Sequence, residues 1–160
     1  MKGPWKNTEI TIWAKASSFD YLQLRGRNDH NTNCGFGGYL VVFRSGGTTS
    51  ITKEITHPLY TKKIPGSHFP FATDEWLGYR ARFVDSTIEG FVNTDGTWRK
   101  VISATDKGDW PYENMAQVKE AKAKCGTIDN APFTRQQPYN FVRINNGVDV
   151  FFKSYSIREI

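Results

Sequence analysis

The spacing of turn signals is the feature that most constrains how this chain can fold. Turn-forming residues recur at short intervals, and the runs between them are rich in Val, Ile, Thr and aromatic side chains. Short strands at such spacing are typical of sandwiches and barrels. The sequence therefore predicts an all-β fold, an antiparallel β-sandwich, with at most one short helix at residues 113–124.

The bounds of the individual strands follow from the same turn-forming residues. The turn at residues 93–96 has the composition of a hairpin loop. Residues 28–33, 62–73 and 126–138 are too polar or too rich in Pro and Gly for regular elements, so they are predicted as loops. No repeat or linker divides the chain, which predicts a single domain over residues 1–160. The predicted strands are 9–14, 19–27, 38–44, 50–60, 76–84, 88–92, 98–102, 139–144 and 148–160.

Charge and hydropathy narrow the classes of partner. The chain has 160 residues and a formal net charge of +5, which favours an anionic partner such as nucleic acid, an acidic polysaccharide or a lipid surface. No run approaches the roughly 18 apolar residues of a membrane span, so no membrane partner is expected. The first residues lack the apolar segment of a signal peptide. Between a cytosolic protein and a domain excised from a longer secreted protein, we favour the second.

Two cysteines, Cys34 and Cys125, are present. They are too far apart in sequence for a zinc knuckle, and neither belongs to a Cys-x-x-Cys motif. Two readings stay open at this point. They form one long-range disulfide in an oxidising compartment, or they are two unrelated buried thiols.

Strand alternation suggests a cationic face. In the strand at 50–60, Lys53 and His57 lie on one side, because side chains alternate along a strand. The same rule turns polar side chains outward on other strands, and if these strands share a sheet, they form one cationic strip. The alternative is that the cations lie on different faces and are simply solvated. The members of the predicted strip are Gln23, Arg25, Arg27, Lys53, His57, Arg80, Arg82 and Arg143, with Trp76 at its edge.

Several segments carry a resemblance to known proteins. They are residues 24–27 (LRGR), 53–57 (KEITH), 76–80 (WLGYR) and 152–160 (FKSYSIREI). With them, the chain resembles the β-jelly-roll polysaccharide lyases, such as the alginate lyases. More broadly it is similar to concanavalin A-like lectin/glucanase domains. The resemblance implies a jelly-roll sandwich that acts on an acidic polysaccharide outside the cell.

A lyase function assigns roles to members of the strip. Such an enzyme removes the C5 proton of a uronic acid and expels the 4-linked sugar by β-elimination. Cationic and amide groups neutralise the sugar carboxylate, and a base and an acid move the protons. The resemblance implies Arg25 or Arg27, with Gln23, as the carboxylate holder, and Lys53 beside His57, the base. Tyr60, Tyr79 or Tyr21 would be the acid, and the substrate-binding set adds Arg80, Arg82, Arg143 and Trp76.

Two other functions compete with the lyase. A non-catalytic carbohydrate-binding module would use tryptophans as sugar platforms, with Trp5, Trp76, Trp98 and Trp110 as candidates. A nucleic-acid-binding domain ranks lower, because the cations are dispersed along alternating strands and no RNA-binding signature is present.

No cofactor is expected, since three scattered histidines do not make a zinc site. Oxygen-rich loops in sandwiches often hold calcium, so a structural calcium ion at Asp106 and Asp109, or at Asp149, stays open. The spacing of these residues is not that of an EF-hand.

Overall fold

Two antiparallel sheets pack face to face in this protein. The computed structural model describes residues 6–31, 34–134 and 139–160. One sheet has the strand order β11-β1-β7-β8-β9 and the other β10-β2-β3-β4-β5, with β6 beside β4. This confirms the predicted all-β antiparallel sandwich with one short helix. The elements are β1 (Thr8–Lys15), β2 (Tyr21–Asn31), β3 (Gly35–Phe43), β4 (Thr49–Thr56), β5 (Leu59–Tyr60), β6 (Ile64–Pro65), β7 (Leu77–Val84), β8 (Thr87–Asn93), β9 (Trp98–Thr105), α1 (Met115–Cys125), β10 (Tyr139–Asn145) and β11 (Phe151–Glu159).

Alternate residues of the strands fill the space between the sheets. On β7, Leu77, Tyr79, Ala81 and Phe83 are almost fully buried, as the period of two predicts. The facing sheet contributes the inward side chains of β2, β3 and β4 to the same core. Both sheets therefore keep one outer face for polar side chains, and these two outer faces are where a site can form.

The predicted strand at 50–60 is two elements. β4 ends at Thr56, the His57–Pro58 peptide bond is cis, and β5 returns to pair Leu59 with Thr56. Proline has no backbone N–H to offer a sheet ladder, so a strand end at this position is expected.

Two predicted loops also contain strand residues. β2 continues to Asn31, where residues 28–33 were predicted as a loop, and residues 32–33 lie outside the described part. Within the predicted loop at 62–73, β6 pairs with β4. Polar composition at 28–33 and Pro and Gly content at 62–73 predicted loops, but pairing with a neighbouring strand satisfies the backbone in both places.

Helix α1 lies against β5. Its first turn is capped by Asn114, whose side-chain oxygen accepts from the backbone N–H of Ala116 at 2.9 Å. Val118 and Ala121 are buried against Leu59. The last helical residue, Cys125, is bonded to Cys34, with 5.5 Å between their Cα atoms. The structure thus favours the disulfide over two unrelated thiols, and the disulfide fastens α1 to the sheet.

The ends of the fold meet at the edge of the five-stranded sheet. β11 is the edge strand and pairs with β1 along its length. The backbone N–H of Ile160 donates to the carbonyl of Asn7 at 3.1 Å. Among the described residues, no helix has the length and apolarity that crossing a membrane requires.

Candidate functional site

A groove lies on the outer face of the six-stranded sheet. Strand register places Gln23 between Val42 on β3 and Arg143 on β10, and Arg25 opposite Leu40. The groove has a volume of about 270 Å³. We call it the cationic groove, because its lining has four cationic side chains and one carboxylate. The lining residues are Tyr21, Gln23, Arg25, Leu40, Val42, Arg44, Thr52, Tyr60, Lys63, Glu113 and Arg143.

A chain of ion pairs extends from Arg25, at the floor of the groove, through Glu54 to His57. Arg25 is 9% exposed and is paired with Glu54, which is 1% exposed. On its other side, Glu54 accepts a hydrogen bond from Nδ1 of His57 at 2.9 Å. Burial lowers the pKa of Arg25, but a guanidinium stays charged across the physiological range. His57 is well exposed and does not line the groove, so it contacts the groove residues through Glu54.

Gln23 is one of two incompletely satisfied groups described in the groove lining, the other being Arg25, whose Nε also lacks an acceptor. The Gln23 side chain is only 4% exposed, and among the described residues its amide nitrogen Nε2 has no hydrogen-bond acceptor. A buried N–H group without a partner costs about 1–3 kcal/mol. Next to it, Arg143 packs on Tyr21, its guanidinium carbon 5.8 Å from the ring centre. Strand pairing thus sets these two donor-bearing residues side by side in the groove lining.

Tyr60 adds a phenol to the same lining. Burial raises the pKa of its hydroxyl, an effect that the charges of Arg25 and Arg143 oppose. The net shift is upward, so Tyr60 holds its proton at neutral pH. This hydroxyl can therefore donate a hydrogen bond or a proton inside the groove.

Lys53 does not belong to the groove, and its predicted place there is wrong. Strand register sets Lys53 opposite Tyr39, on the core-facing side of β4, and it is fully buried. Its ammonium pairs with Asp106 at 2.7 Å inside the sandwich. The prediction assumed that a lysine on a strand faces solvent, but a carboxylate from another segment stabilises it in the core.

Arg27 also departs from its predicted place beside Arg25. The pairing of β2 with β3 shifts between Gly26 and Asp29, and Arg27 has a φ of 50°. This irregularity turns the side chain inward, where it is 1% exposed and donates to the carbonyl of Phe133 at 2.6 Å. Burial lowers its pKa. Arg27 therefore links segments of the fold and does not line the groove.

Arg80 and Arg82 lie on the other sheet and Trp76 directly precedes its strand β7, so the prediction of one shared strip is wrong for them. Arg80 and Arg82 do point outward on β7, as alternation predicted, but β7 is in the five-stranded sheet. Both arginines contact Glu9, at 3.6 and 3.5 Å. Periodicity gives the face of a strand, but it does not say to which sheet the strand belongs.

That outer face carries its own aromatic cluster. The rings of Trp13 and Trp98 meet edge to face at 5.8 Å, and Arg80 lies 3.9 Å above the Trp98 ring. Lys15 and Lys153 lie 5.9 and 5.7 Å from the ring of Trp76. We call this surface the tryptophan face.

Two other candidate residues, one from each of the competing functions, are buried in the core. Trp110 is 7% exposed and packs on Tyr39 in the core, so its prediction as a sugar platform is wrong. Tyr79, a candidate acid, is 1% exposed between the sheets and cannot reach a substrate. Trp5 lies outside the described residues.

Arg44, Lys63 and Glu113 line the groove but were not predicted to do so. Arg44 ends the predicted strand at 38–44, where alternation sets it on the same face as Leu40 and Val42, so a signal was present. Lys63 and Glu113 precede β6 and α1, in segments without strand alternation. Lys63 and Glu113 approach each other at 4.0 Å. Their place depends on how loops fold back onto the sheet, for which the sequence offers no local signal.

No group of three or more metal-ligating His, Cys, Asp or Glu side chains occurs among the described residues. Asp106, one residue of the calcium alternative, accepts instead from Lys53, from the Tyr39 hydroxyl at 2.7 Å and from the Gly108 N–H at 2.8 Å. A structural calcium ion stays a prediction.

Solved structures with a similar fold include proteins named for carbohydrate binding. The carbohydrate-binding module CBM66 from Bacillus subtilis matches with a TM-score of 0.61 and 10% identity, covering 99% of this chain and 78% of the module. Galectin LEC-6 from Caenorhabditis elegans matches with a TM-score of 0.58 and 10% identity, covering 99% and 87%. A family 7 alginate lyase in complex with substrate matches with a TM-score of 0.52 and 11% identity, covering 98% and 62%.

Likeness at this level of identity establishes the fold. The chain has the concanavalin A-like jelly-roll fold, which confirms the fold that the resemblance implied. No protein-family model matches the sequence, and a search of curated proteins finds no match.

Proposed function

We propose that this protein is a carbohydrate-binding domain that holds an acidic saccharide in the cationic groove. The observation that carries the proposal is the buried Nε2 of Gln23, which has no acceptor in the described part of the chain and lies beside Arg143. A uronic acid carboxylate accepts from both groups and removes the cost of the buried N–H. Tyr21 and Tyr60 supply flat rings and hydroxyls to the sides of a sugar.

The charge of the groove favours an anionic sugar over a neutral one. The Arg25 charge is balanced by Glu54, and Lys63 is close to Glu113. Arg143, by contrast, has no carboxylate partner among the described residues, and it contacts the ring of Tyr21. An unpaired cation next to an unsatisfied donor is complementary to a carboxylate, whereas a neutral glucan would leave the Arg143 charge without a partner.

Affinity electrophoresis tests this proposal. Gels that contain alginate or polygalacturonate should retard the wild-type protein, and gels that contain a neutral glucan should not. Arg143→Ala should weaken retardation by the acidic polymers about tenfold, the value of one charge-assisted hydrogen bond. Arg99→Ala is the matched control, because Arg99 is an exposed arginine on the five-stranded sheet. Equal retardation of the two variants would show that the groove does not bind the polymer.

A second candidate is a polysaccharide lyase that uses the same groove. It is favoured by Tyr60, a protonated phenol near Arg25 and Arg143, and by His57, which Glu54 orients through Nδ1. In this reaction the base removes the C5 proton, the C4–O bond breaks, and Tyr60 protonates the departing oxygen. His57 is the base in this candidate, which requires the polymer to extend beyond the groove lining to reach His57.

Absorbance of the unsaturated product distinguishes the two candidates. A rising trace with alginate or glucuronan that disappears in Tyr60→Phe, while gel retardation is kept, supports the lyase. A flat trace from a wild-type protein that is retarded in the gel supports binding alone.

We also propose a secreted or extracellular location for this domain. Support comes from the Cys34–Cys125 disulfide, since disulfides persist mainly in oxidising compartments. Thiol counting on protein purified from its natural source, denatured without reductant, should detect no free thiol.

A further inference from the structure

A buried lysine and a buried aspartate meet a partly buried asparagine on the core-facing side of β4, outside the groove lining. Lys53 is 0% exposed and Asp106 is 1% exposed. The Lys53 Nζ lies 2.7 Å from Oδ2 of Asp106 and 3.0 Å from Oδ1 of Asn130. It also donates to the backbone carbonyls of Asn130 and Ala131, both at 2.7 Å. Four oxygens therefore crowd one nitrogen that has at most three hydrogens.

Aromatic side chains surround this cluster. The ring of Phe133 is centred 4.9 Å from Nζ of Lys53. Tyr39 packs on both Phe133 and Trp110, with ring centres 5.5 and 5.9 Å away, and its hydroxyl donates to Asp106 at 2.7 Å. Burial lowers the pKa of Lys53, although Asp106 opposes the shift. The lowered pKa makes it easier for the ammonium to lose a proton, and the resulting amine is the nucleophilic form of lysine.

The amide of Asn130 is held in position for attack. Its oxygen accepts from Lys53, and its nitrogen donates to the carbonyl of Trp110 at 2.8 Å. Because the carbonyl carbon is bonded to that oxygen at about 1.2 Å, it lies no more than about 4.2 Å from Nζ. Reacting atoms in near-attack geometries are about 3–3.5 Å apart, so a small movement brings the two atoms within range.

We propose that Lys53 and Asn130 join in an intramolecular isopeptide bond, with Asp106 as the group that carries the proton. Asp106 takes a proton from the Lys53 ammonium, and the amine attacks Cγ of Asn130. The new Nζ–Cγ bond forms, the Cγ–Nδ2 bond breaks, and the leaving nitrogen receives one proton from Nζ and one from Asp106. The reaction releases one ammonium ion, returns Asp106 to the carboxylate and needs no oxidant or reductant.

The bond has a mechanical consequence for the fold. Residues 53 and 130 are 77 positions apart, and the link joins β4 to the segment after α1. A covalent bond across such a distance restricts the unfolded chain in the same way as a disulfide, but reductants do not break it. The protein therefore retains one cross-link after its disulfide is reduced.

High-resolution mass spectrometry of the reduced, denatured full-length protein tests the proposal. The wild-type mass should be lower than the sequence mass by one ammonia. A tryptic digest should contain one branched peptide whose fragments connect Lys53 to Asn130, with no cleavage after Lys53. Asp106→Ala should have its full sequence mass. Asp109→Ala is the matched control, because Asp109 is an exposed acid in the same loop, and it should keep the loss of ammonia.

Several outcomes would overturn the inference, and the wild-type protein alone decides among them. A full sequence mass with trypsin cleavage after Lys53 means that the side chains are only hydrogen-bonded. Loss of water in place of ammonia assigns the link to Asp106. Loss of ammonia in a linear peptide that is cleaved after Lys53 assigns the change to a succinimide at Asn130.

Discussion

The two outer faces of the sandwich carry similar basic side chains but differ in whether these side chains are paired with carboxylates. On the five-stranded sheet, Glu9 lies under three arginines, with Arg158 at 2.7 Å and Arg80 and Arg82 near 3.5 Å. In the cationic groove, Arg143 contacts a tyrosine ring and has no carboxylate partner among the described residues. Both faces therefore look basic in the sequence, but on the five-stranded sheet the chain supplies its own anion.

The contrast shows that pairing, more than the number of cations, marks a site for an anionic ligand. An arginine that is already bonded to a carboxylate must lose that partner before it binds a sugar acid. An arginine beside an unsatisfied amide gains a partner instead. Arg25 is an intermediate case, because it lines the groove but is already paired with Glu54. The following three variants separate structural pairs from ligand contacts.

The largest expected effect is that of Arg25→Ala, because Glu54 is left almost fully buried without its guanidinium. Breaking a buried pair costs about 3–5 kcal/mol, and His57 still supplies one hydrogen bond, so we expect the free energy of unfolding to fall by about 3 kcal/mol. Urea denaturation measures this change. Arg99→Ala, which breaks an exposed pair, is the control and should change it by less than about 1 kcal/mol. Equal effects of the two variants would contradict the structural role of Arg25.

An intermediate effect is expected for Glu9→Gln on the five-stranded sheet. Three arginines lose their shared carboxylate, but two of them are substantially exposed and the amide still accepts hydrogen bonds. The free energy of unfolding should fall by about 1–2 kcal/mol. Because the variant frees three arginines from their carboxylate, retardation by acidic polysaccharide should not weaken. Weaker retardation in this variant would show that the tryptophan face, and not the groove alone, binds the polymer.

The smallest effect on stability is expected for Arg143→Ala. Its exposed side chain has no ion pair to lose among the described residues, so unfolding should shift by no more than about 0.5 kcal/mol in urea. Because retardation by acidic polymers should fall in this same variant, we expect binding and stability to separate at one residue. A loss of stability above about 1 kcal/mol would mean that Arg143 is a structural residue.

The fold and part of the candidate site could be predicted from the sequence. Turn spacing predicted the sandwich, and strand alternation correctly grouped Gln23, Arg25 and Arg143 on one outward face. Alternation failed for Arg27, because the irregular pairing after Gly26 reverses the side-chain direction. It also failed for Lys53, whose partner Asp106 is 53 positions later in the chain and lies at the end of another strand.

Sheet membership was the other limit. Arg80 and Arg82 were placed on the correct side of β7, but the order of strands in each sheet is set by contacts between distant segments. Such contacts leave no trace in the local pattern of a strand. The aromatic and charged side chains of the two faces therefore looked like parts of a single surface.

The pairing of β1 with β11 brings the entry and exit of the fold side by side, with Ile160 hydrogen-bonded to Asn7. A short Gly-Ser linker between them, with new termini in the exposed hairpin turn at residues 95–96, yields a circular permutant with every strand intact. By the same geometry, the sandwich fits into a surface loop of a host protein, where it leaves the host's two attachment points close together.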